Sequence, residues 1–138
     1  MLNALRHCPA LVLADLSLLI PTLCEATKVV EKYVKIVDMG PFKHRIDDGL
    51  RARKLAFEGL YMLADLLSQQ KEAVVLSSDN AVSGAVQINA AHAALIGATL
   101  PRGFADEADI QAITHMTLRK LLLFAPALVY PGTFSFFF

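Results

Sequence analysis

The chain has 138 residues, enough for one hydrophobic core or one slab of repeats and too short for two independent cores. Thirteen Lys and Arg balance thirteen Asp and Glu, which excludes a whole-chain electrostatic pull toward nucleic acid or an anionic membrane and leaves any charged contact local. Two cysteines, Cys8 and Cys24, support neither a zinc framework nor a disulfide scaffold and fit a reduced, intracellular protein.

The apolar fraction of 55% raises the question of a membrane span. Leu121 to Tyr130 is the longest clean apolar run, with Pro126 inside it, and falls far short of the roughly 20 residues a spanning helix needs. Ser83–Leu100 is longer, but Gln87, Asn89 and His92 interrupt it. The single N-terminal arginine and Asp15 within the apolar stretch also argue against a secretory signal.

In chain order, residues 9–26 read as a helix. Pro9 stands at a first-turn position, Leu11, Ala14, Leu18 and Leu19 follow at helical spacing, and Pro21 is expected to kink or divide it. Residues 28–46 break the pattern. β-Branched and aromatic residues precede Met39, and Gly40-Pro41 imposes a reversal, with Pro41 preset for the second position of a turn. One reading pairs Tyr33–Met39 with Phe42–Ile46 as a β-hairpin. The other continues a helix through Ala26–Val37 and leaves a loop at 38–46. Five basic residues, Lys28, Lys32, Lys35, Lys43 and Arg45, face two acidic ones, Glu31 and Asp38, so this segment is locally cationic.

A strong helix is predicted from Asp47 or Asp48 to about Leu67. Leu50, Phe57, Leu60, Ala64 and Leu67 line its apolar face, Arg51, Arg53, Lys54, Glu58 and Asp65 fall mostly elsewhere, and Asp47 and Asp48 cap its N-terminus. Residues 68–84, rich in Ser, Gln, Asp and Asn, read as loop, and 85–99 as a weaker, Ala-rich helix. From Asp106 to Phe124, Ile110, Ile113, Thr117, Leu121 and Phe124 recur at helical steps, with acidic residues at the start and Pro126 as the stop. The tail "YPGTFSFFF" must pack against something or aggregate. Helices of this length with broad apolar faces fit stacked helical hairpins, with a compact bundle as the alternative.

No motif carries catalytic or metal chemistry. His7-Cys8 lacks ligand spacing, and His44, His92 and His115 have no nucleophile or ligand set beside them. The glycines form neither GxGxxG nor GxxxxGK, and the adjacent Asp47 and Asp48 point in different directions. The expectation is a non-enzymatic chain without cofactor or metal. Composition leaves two readings of 28–46 open: a solvated connection with basic decoration, or a protruding hairpin whose Met39 and Phe42 enter a partner's pocket while the basic residues steer it.

The blocks Gly40-Pro41-Phe42-Lys43-His44, Asp47-Asp48-Gly49-Leu50, Arg53-Lys54 and Ala56-Phe57-Glu58 stand in the register of a GPFKH, DDGL, RK-x-AFE pattern. With "LIPTLCEATKV" before them and "GFADEADIQAITHMTLRKLLLFAPALV" after, they resemble the C-terminal region of the cullin-associated and neddylation-dissociated family over residues 8–67 and 103–129. Arg45 departs from a small or apolar residue usual there, and Arg51 from an acidic one. Residues 68–102 are a divergent segment without visible likeness, and the tail 130–138 does not match.

The resemblance implies an all-α, HEAT-type α-solenoid fragment, residues 1–138 as a single unit with a short β-hairpin or loop insertion at 28–46. Family members are far longer, so this chain corresponds to a small part of their C-terminal end. It further implies a protein-binding module in the nucleus or cytoplasm. Its partner is a cullin of a cullin-RING ubiquitin ligase, bound in competition with the adaptor and substrate receptor. Carried over residue by residue, the binding tip is Met39, Gly40, Pro41, Phe42, Lys43, His44 and Arg45. The alternative is a helical-repeat scaffold with a different partner or no independent activity.

Overall fold

The computed structural model describes residues 3, 7, 14–76, 90–124 and 126, with the side chains of 70–76 excluded. The expected helix start at Pro9, the loop residues 77–84, the first part of the Ala-rich helix, Cys8 and the Phe-rich tail lie outside them.

The chain is mostly helical with one small antiparallel sheet. Helix α1 spans Leu16–Ala26, and its buried Leu16, Ile20 and Leu23 repeat at helical steps. Pro21 does not divide it. The carbonyl that the proline leaves without a donor is that of Ser17, on the exposed side where water can serve it. A 3-10 turn at Glu31–Tyr33 leads into strand β1, Val34–Met39, which pairs with β2, Phe42–Asp47. The hairpin reading therefore holds, and the helix through Val37 does not.

Helix α2, Leu50–Leu76, is longer than the sequence pattern indicates. The residues from Ser68 to Leu76 continue the helix instead of opening a loop. Gln69, Gln70, Lys71, Glu72 and Ala73 are good helix formers, and polarity alone does not break a helix. Ala90–Gly97 forms α3, Leu100–Phe104 the short α4, and Ala108–Phe124 the helix α5 expected from the periodicity. No described helix is long and apolar enough to cross a membrane.

Ion pairs give the helix directions. Lys54–Asp109 and Asp65–Lys120 advance together along α2 and α5, so these two helices run parallel. Leu23 and Ala26 at the end of α1 share a groove with Ala52 and Ala56 near the start of α2, so that pair is antiparallel. α1 also borders α3. The core is one cluster shared by all the long elements: Leu16 and Ile20 of α1, Leu60, Leu63 and Leu67 of α2, Ile96 of α3, Leu100 of α4 and Leu121 of α5. A smaller cluster, Phe57 with Ile110 and Ile113, joins the start of α2 to the start of α5, just beneath the base of the hairpin.

Candidate functional site

The hairpin stands on the helical body with almost no core of its own. Every side chain from Lys35 to Ile46 is exposed, including Ile36 at 69%, Met39 at 65% and Phe42 at 74%. Apolar side chains on a two-stranded ribbon normally turn inward to help hold it, since an isolated hairpin is marginal in water. Here they do not.

The register is Val34 with Asp47, Lys35 with Ile46, Ile36 with Arg45, Val37 with His44, Asp38 with Lys43, and Met39 with Phe42. Because side chains alternate along a strand, this pairing fixes two faces. One carries Lys35, Val37, Met39, Phe42, His44 and Ile46. The other carries Val34, Ile36, Asp38, Lys43, Arg45 and Asp47. The expected binding residues are thus divided by the structure, with Met39, Phe42 and His44 on the first face and Lys43 and Arg45 on the second.

Gly40 and Pro41 make the reversal. Gly40 has φ +67°, and as the first of two central residues before a φ-restricted proline it matches a II′ turn, whose twist suits a hairpin. Pro41 therefore occupies the third position of the turn and not the second. A left-handed Gly followed by Pro satisfies both residues at once.

The base of the hairpin is clamped by charge. Arg53, on the first turn of α2, is buried, its side chain only 5% exposed. Its Nε and Nη2 donate to Asp106 Oδ2 and Oδ1 at 2.8 and 2.9 Å, a bidentate fork, while Nη1 donates to Asp47 Oδ2 at 2.8 Å. The spare oxygen of Asp47 accepts from Gly49 N–H at 2.9 Å, and Asp106 Oδ1 also accepts from Glu107 N–H. One guanidinium thereby ties the end of β2, the start of α2 and the approach to α5. These hydrogen bonds hold the Asp106 carboxyl below its ordinary value, chiefly through Arg53. The same contacts raise the already high value of Arg53 further, the hydrogen bonds it donates to Asp106 contributing most.

Asp47 and Asp48 consequently do not act as a pair of helix caps. Asp47 bends the chain at Gly49 and binds Arg53, and Asp48 pairs with Lys35 at 3.0 Å across the hairpin base. Tyr33 finishes the base: its carbonyl accepts from Asp48 N–H, and its ring lies under Lys32 Nζ at 4.9 Å. Between the hairpin and the α4–α5 corner runs a polar crevice of about 490 Å³, walled in part by Arg45, Arg53, Arg102 and Asp106.

Arg53 is the residue that sequence reasoning misassigned. It lies three residues after Leu50 and four before Phe57, so helical spacing alone sets it on the buried face. The available signal was its position. Among the described residues, no group of His, Cys, Asp and Glu could hold a metal ion, and no buried side-chain polar atom lacks a partner. The geometry offers a projecting apolar surface on a stiff base.

Comparison with known proteins bears on what that surface is for. A model of the TIP120 family, described as TATA-binding protein interacting (TIP20), matches residues 11–132. That match runs through 68–102, where motifs alone showed no likeness. The chain is 30% identical over 125 residues to Cullin-associated NEDD8-dissociated protein 2 of Mus musculus, covering 91% of this chain and 8% of that protein. It is 29% identical over 124 residues to Cullin-associated NEDD8-dissociated protein 1, C-terminal part, of Emericella nidulans, covering 90% of this chain and 10% of that protein. Over 65 residues it is 45% identical to Cullin-associated NEDD8-dissociated protein 1 of Dictyostelium discoideum, covering 46% of this chain and 5% of that protein. In these three cases the chain spans a tenth or less of the relative's length.

Proposed function

Because this chain belongs to the TIP120 family, we propose that it is a non-catalytic, cullin-binding module whose 34–47 hairpin occupies the surface where an adaptor docks. Chain and adaptor then exclude one another from the cullin, and receptor exchange in a cullin-RING ubiquitin ligase follows from that exclusion. A nuclear or cytoplasmic location goes with the role.

One observation carries the reading. Phe42 and Met39, opposite each other at the end of the ribbon, are 74% and 65% exposed, while the base beneath them is fixed by a buried ion triad. A floppy apolar loop would have to be ordered on binding. A projecting pair on a fixed base has much of that entropy removed beforehand, as affinity requires. The names of the relatives, cullin-associated, supply the partner class.

The helical body is proposed to be a HEAT-type solenoid segment. Parallel α2 and α5, with α1 beside α3, is the arrangement that two successive helical hairpins give when stacked. Such stacking would let the body continue the solenoid of a longer protein while the hairpin projects from it.

The test is calorimetric titration of the chain into a purified cullin amino-terminal region. Phe42→Ala is expected to weaken binding by about 30-fold or more, the effect of removing a central aromatic anchor. Its thermal transition should be unchanged, since Phe42 touches no core residue. Equal affinity of the variant and the parent chain would remove Phe42 from the interface and the proposal with it.

A further inference from the structure

The polar crevice between the hairpin and the α4–α5 corner is part of neither the core nor the exposed apolar ribbon. Its floor is the Arg53 triad, where every carboxylate oxygen is in use. Asp47 accepts from Arg53 on one oxygen and from the Gly49 N–H on the other. Asp106 accepts from Arg53 on both oxygens and from the Glu107 N–H on one.

The walls carry donors. Arg45 shares its strand face with Asp47, two residues on, so the clamp that turns Asp47 toward Arg53 also turns Arg45 into the crevice. Asp106 feels it: its carboxyl is held down chiefly by the hydrogen bonds from Arg53 and, least of the causes, by the charge of Arg45. That attraction acts through space, because among the described residues Arg45 makes no hydrogen bond and no ion pair. On the other wall, Arg102 of α4 donates through Nη1 to the Cys24 carbonyl at 3.2 Å, which holds the side chain in place and leaves Nε and Nη2 without a partner among the described residues. Arg51 and Arg119 also stand outside the ion pairs, but neither borders the crevice.

The crevice therefore has spare donors and yet a balanced charge, with Arg45, Arg53 and Arg102 against Asp47, Asp106 and Glu107. Spare arginine donors call for an anion. Balanced charge disfavours a dianion such as phosphate, which would face Asp106 and Glu107 as well. A single carboxylate meets both conditions, and about 490 Å³ is room enough for an acidic side chain with part of its backbone.

Resting on the reading above, we infer that the crevice is a second docking point for the protein partner, taking one aspartate or glutamate side chain between Arg45 and Arg102. A carboxylate gripped at the foot of the hairpin fixes how the partner lies against the helical body, which contact at the tip alone does not.

The experiment is calorimetry with the full chain and the cullin amino-terminal region. Arg45→Gln, Arg102→Gln and the double variant are compared with Arg51→Gln, an exposed arginine outside the crevice. Glutamine keeps an N–H donor for the Cys24 carbonyl, and a cooperative melt above the assay temperature shows that each variant is folded. Each single crevice variant is expected to weaken binding about tenfold at low salt, with the loss shrinking as ionic strength rises. The double variant should lose about 30-fold, short of the roughly 100-fold that two independent contacts would give, because both arginines hold one carboxylate. Arg51→Gln should bind as the parent chain does. Unchanged affinity in both single variants, with Phe42→Ala still impaired, would overturn the crevice site and leave the proposed function standing. An equal loss in Arg51→Gln would show diffuse attraction and would also overturn the site. An absence of binding by the parent chain would overturn both.

Discussion

Replacing Arg53 with leucine is expected to destabilise the chain by about 3–5 kcal/mol, the range seen when one member of a buried ion cluster is removed. The leucine would be well tolerated by shape, since Arg53 shares its face with Ala56, Phe57 and Leu60. The cost lies in what remains. Asp47 and Asp106 have side chains 14% and 8% exposed, and without the guanidinium they would face each other as like charges with little water to serve them. Against a total stability of about 5–15 kcal/mol for a domain of this kind, that loss is severe. Urea denaturation of the variant measures it, and hydrogen exchange of the β1 and β2 amides should show the hairpin released first. Arg53→Lys keeps a charge but not the fork that grips Asp106 through two nitrogens, and should lose about 1.5–3 kcal/mol.

The pH dependence of that loss has a definite sign. Asp106 is depressed in the folded chain, chiefly by the hydrogen bonds from Arg53. A depressed carboxyl contributes its stability fully above its unfolded value, about 3.9, and loses it as the pH falls through the lower folded value. The gap between parent chain and Arg53→Leu is therefore expected to be widest near neutral pH and to begin narrowing as the pH falls and the carboxylates left without a partner in the variant take up protons. It should narrow further below about 4, where Asp106 of the parent chain is protonated. A gap independent of pH to the acid limit would mean that the triad contributes through packing alone.

The second large effect is at Gly103. It is buried in α4 where that helix crosses α5 and α2, and a methyl group there would overlap Thr114 Oγ1 and press within 2.8 Å of Phe57 Cε1 and 2.9 Å of Thr114 Cγ2. Neither neighbour has room to yield. Thr114 is fully buried and its hydroxyl donates to the Ile110 carbonyl at 2.7 Å, while Phe57 anchors the cluster under the hairpin. Alanine would gain up to about 1 kcal/mol in helix propensity, which is smaller than the overpacking it creates. Gly103→Ala is expected to cost about 2–3 kcal/mol net by thermal or urea unfolding. Adding Thr114→Ala removes two of the three atoms in the way, leaving Phe57 Cε1, and should recover part of it. Additive losses in the double variant would show that the clash is not the cause.

What could be read from the sequence, and what could not, divides along physical lines. The reversal at Gly40-Pro41 and the strands around it were legible because local steric rules govern them, and α5 because its apolar residues keep a single period. The clamp was not legible as chemistry. Asp106 lies 53 residues beyond Arg53, and its carboxylate fitted equally well as favourable charge at a helix start, so only the fold shows that it closes on a buried arginine. Residue type misled where position would have served: Arg53 was set among the solvated charges although its spacing from Leu50 and Phe57 places it inward.

The same bias ended α2 too early, at a run of Ser and Gln, and hid α4, whose Pro101 and Gly103 resemble breakers. Pro101 is tolerated because it lies in the first turn of α4, and Gly103 is required by a close crossing. At the candidate site, Met39 to Arg45 read as one contiguous patch. Strand alternation turns it into two surfaces of different chemistry, a distinction that needs the register and not the composition.

Adaptor competition addresses the central claim most directly. A labelled copy of the chain is bound to the cullin amino-terminal region and purified adaptor is titrated in, with fluorescence anisotropy reporting release. Mutual exclusion predicts complete release at saturating adaptor, with an apparent affinity for adaptor that weakens in proportion to the concentration of chain. A stable ternary complex, with the chain still bound at saturating adaptor, would contradict it.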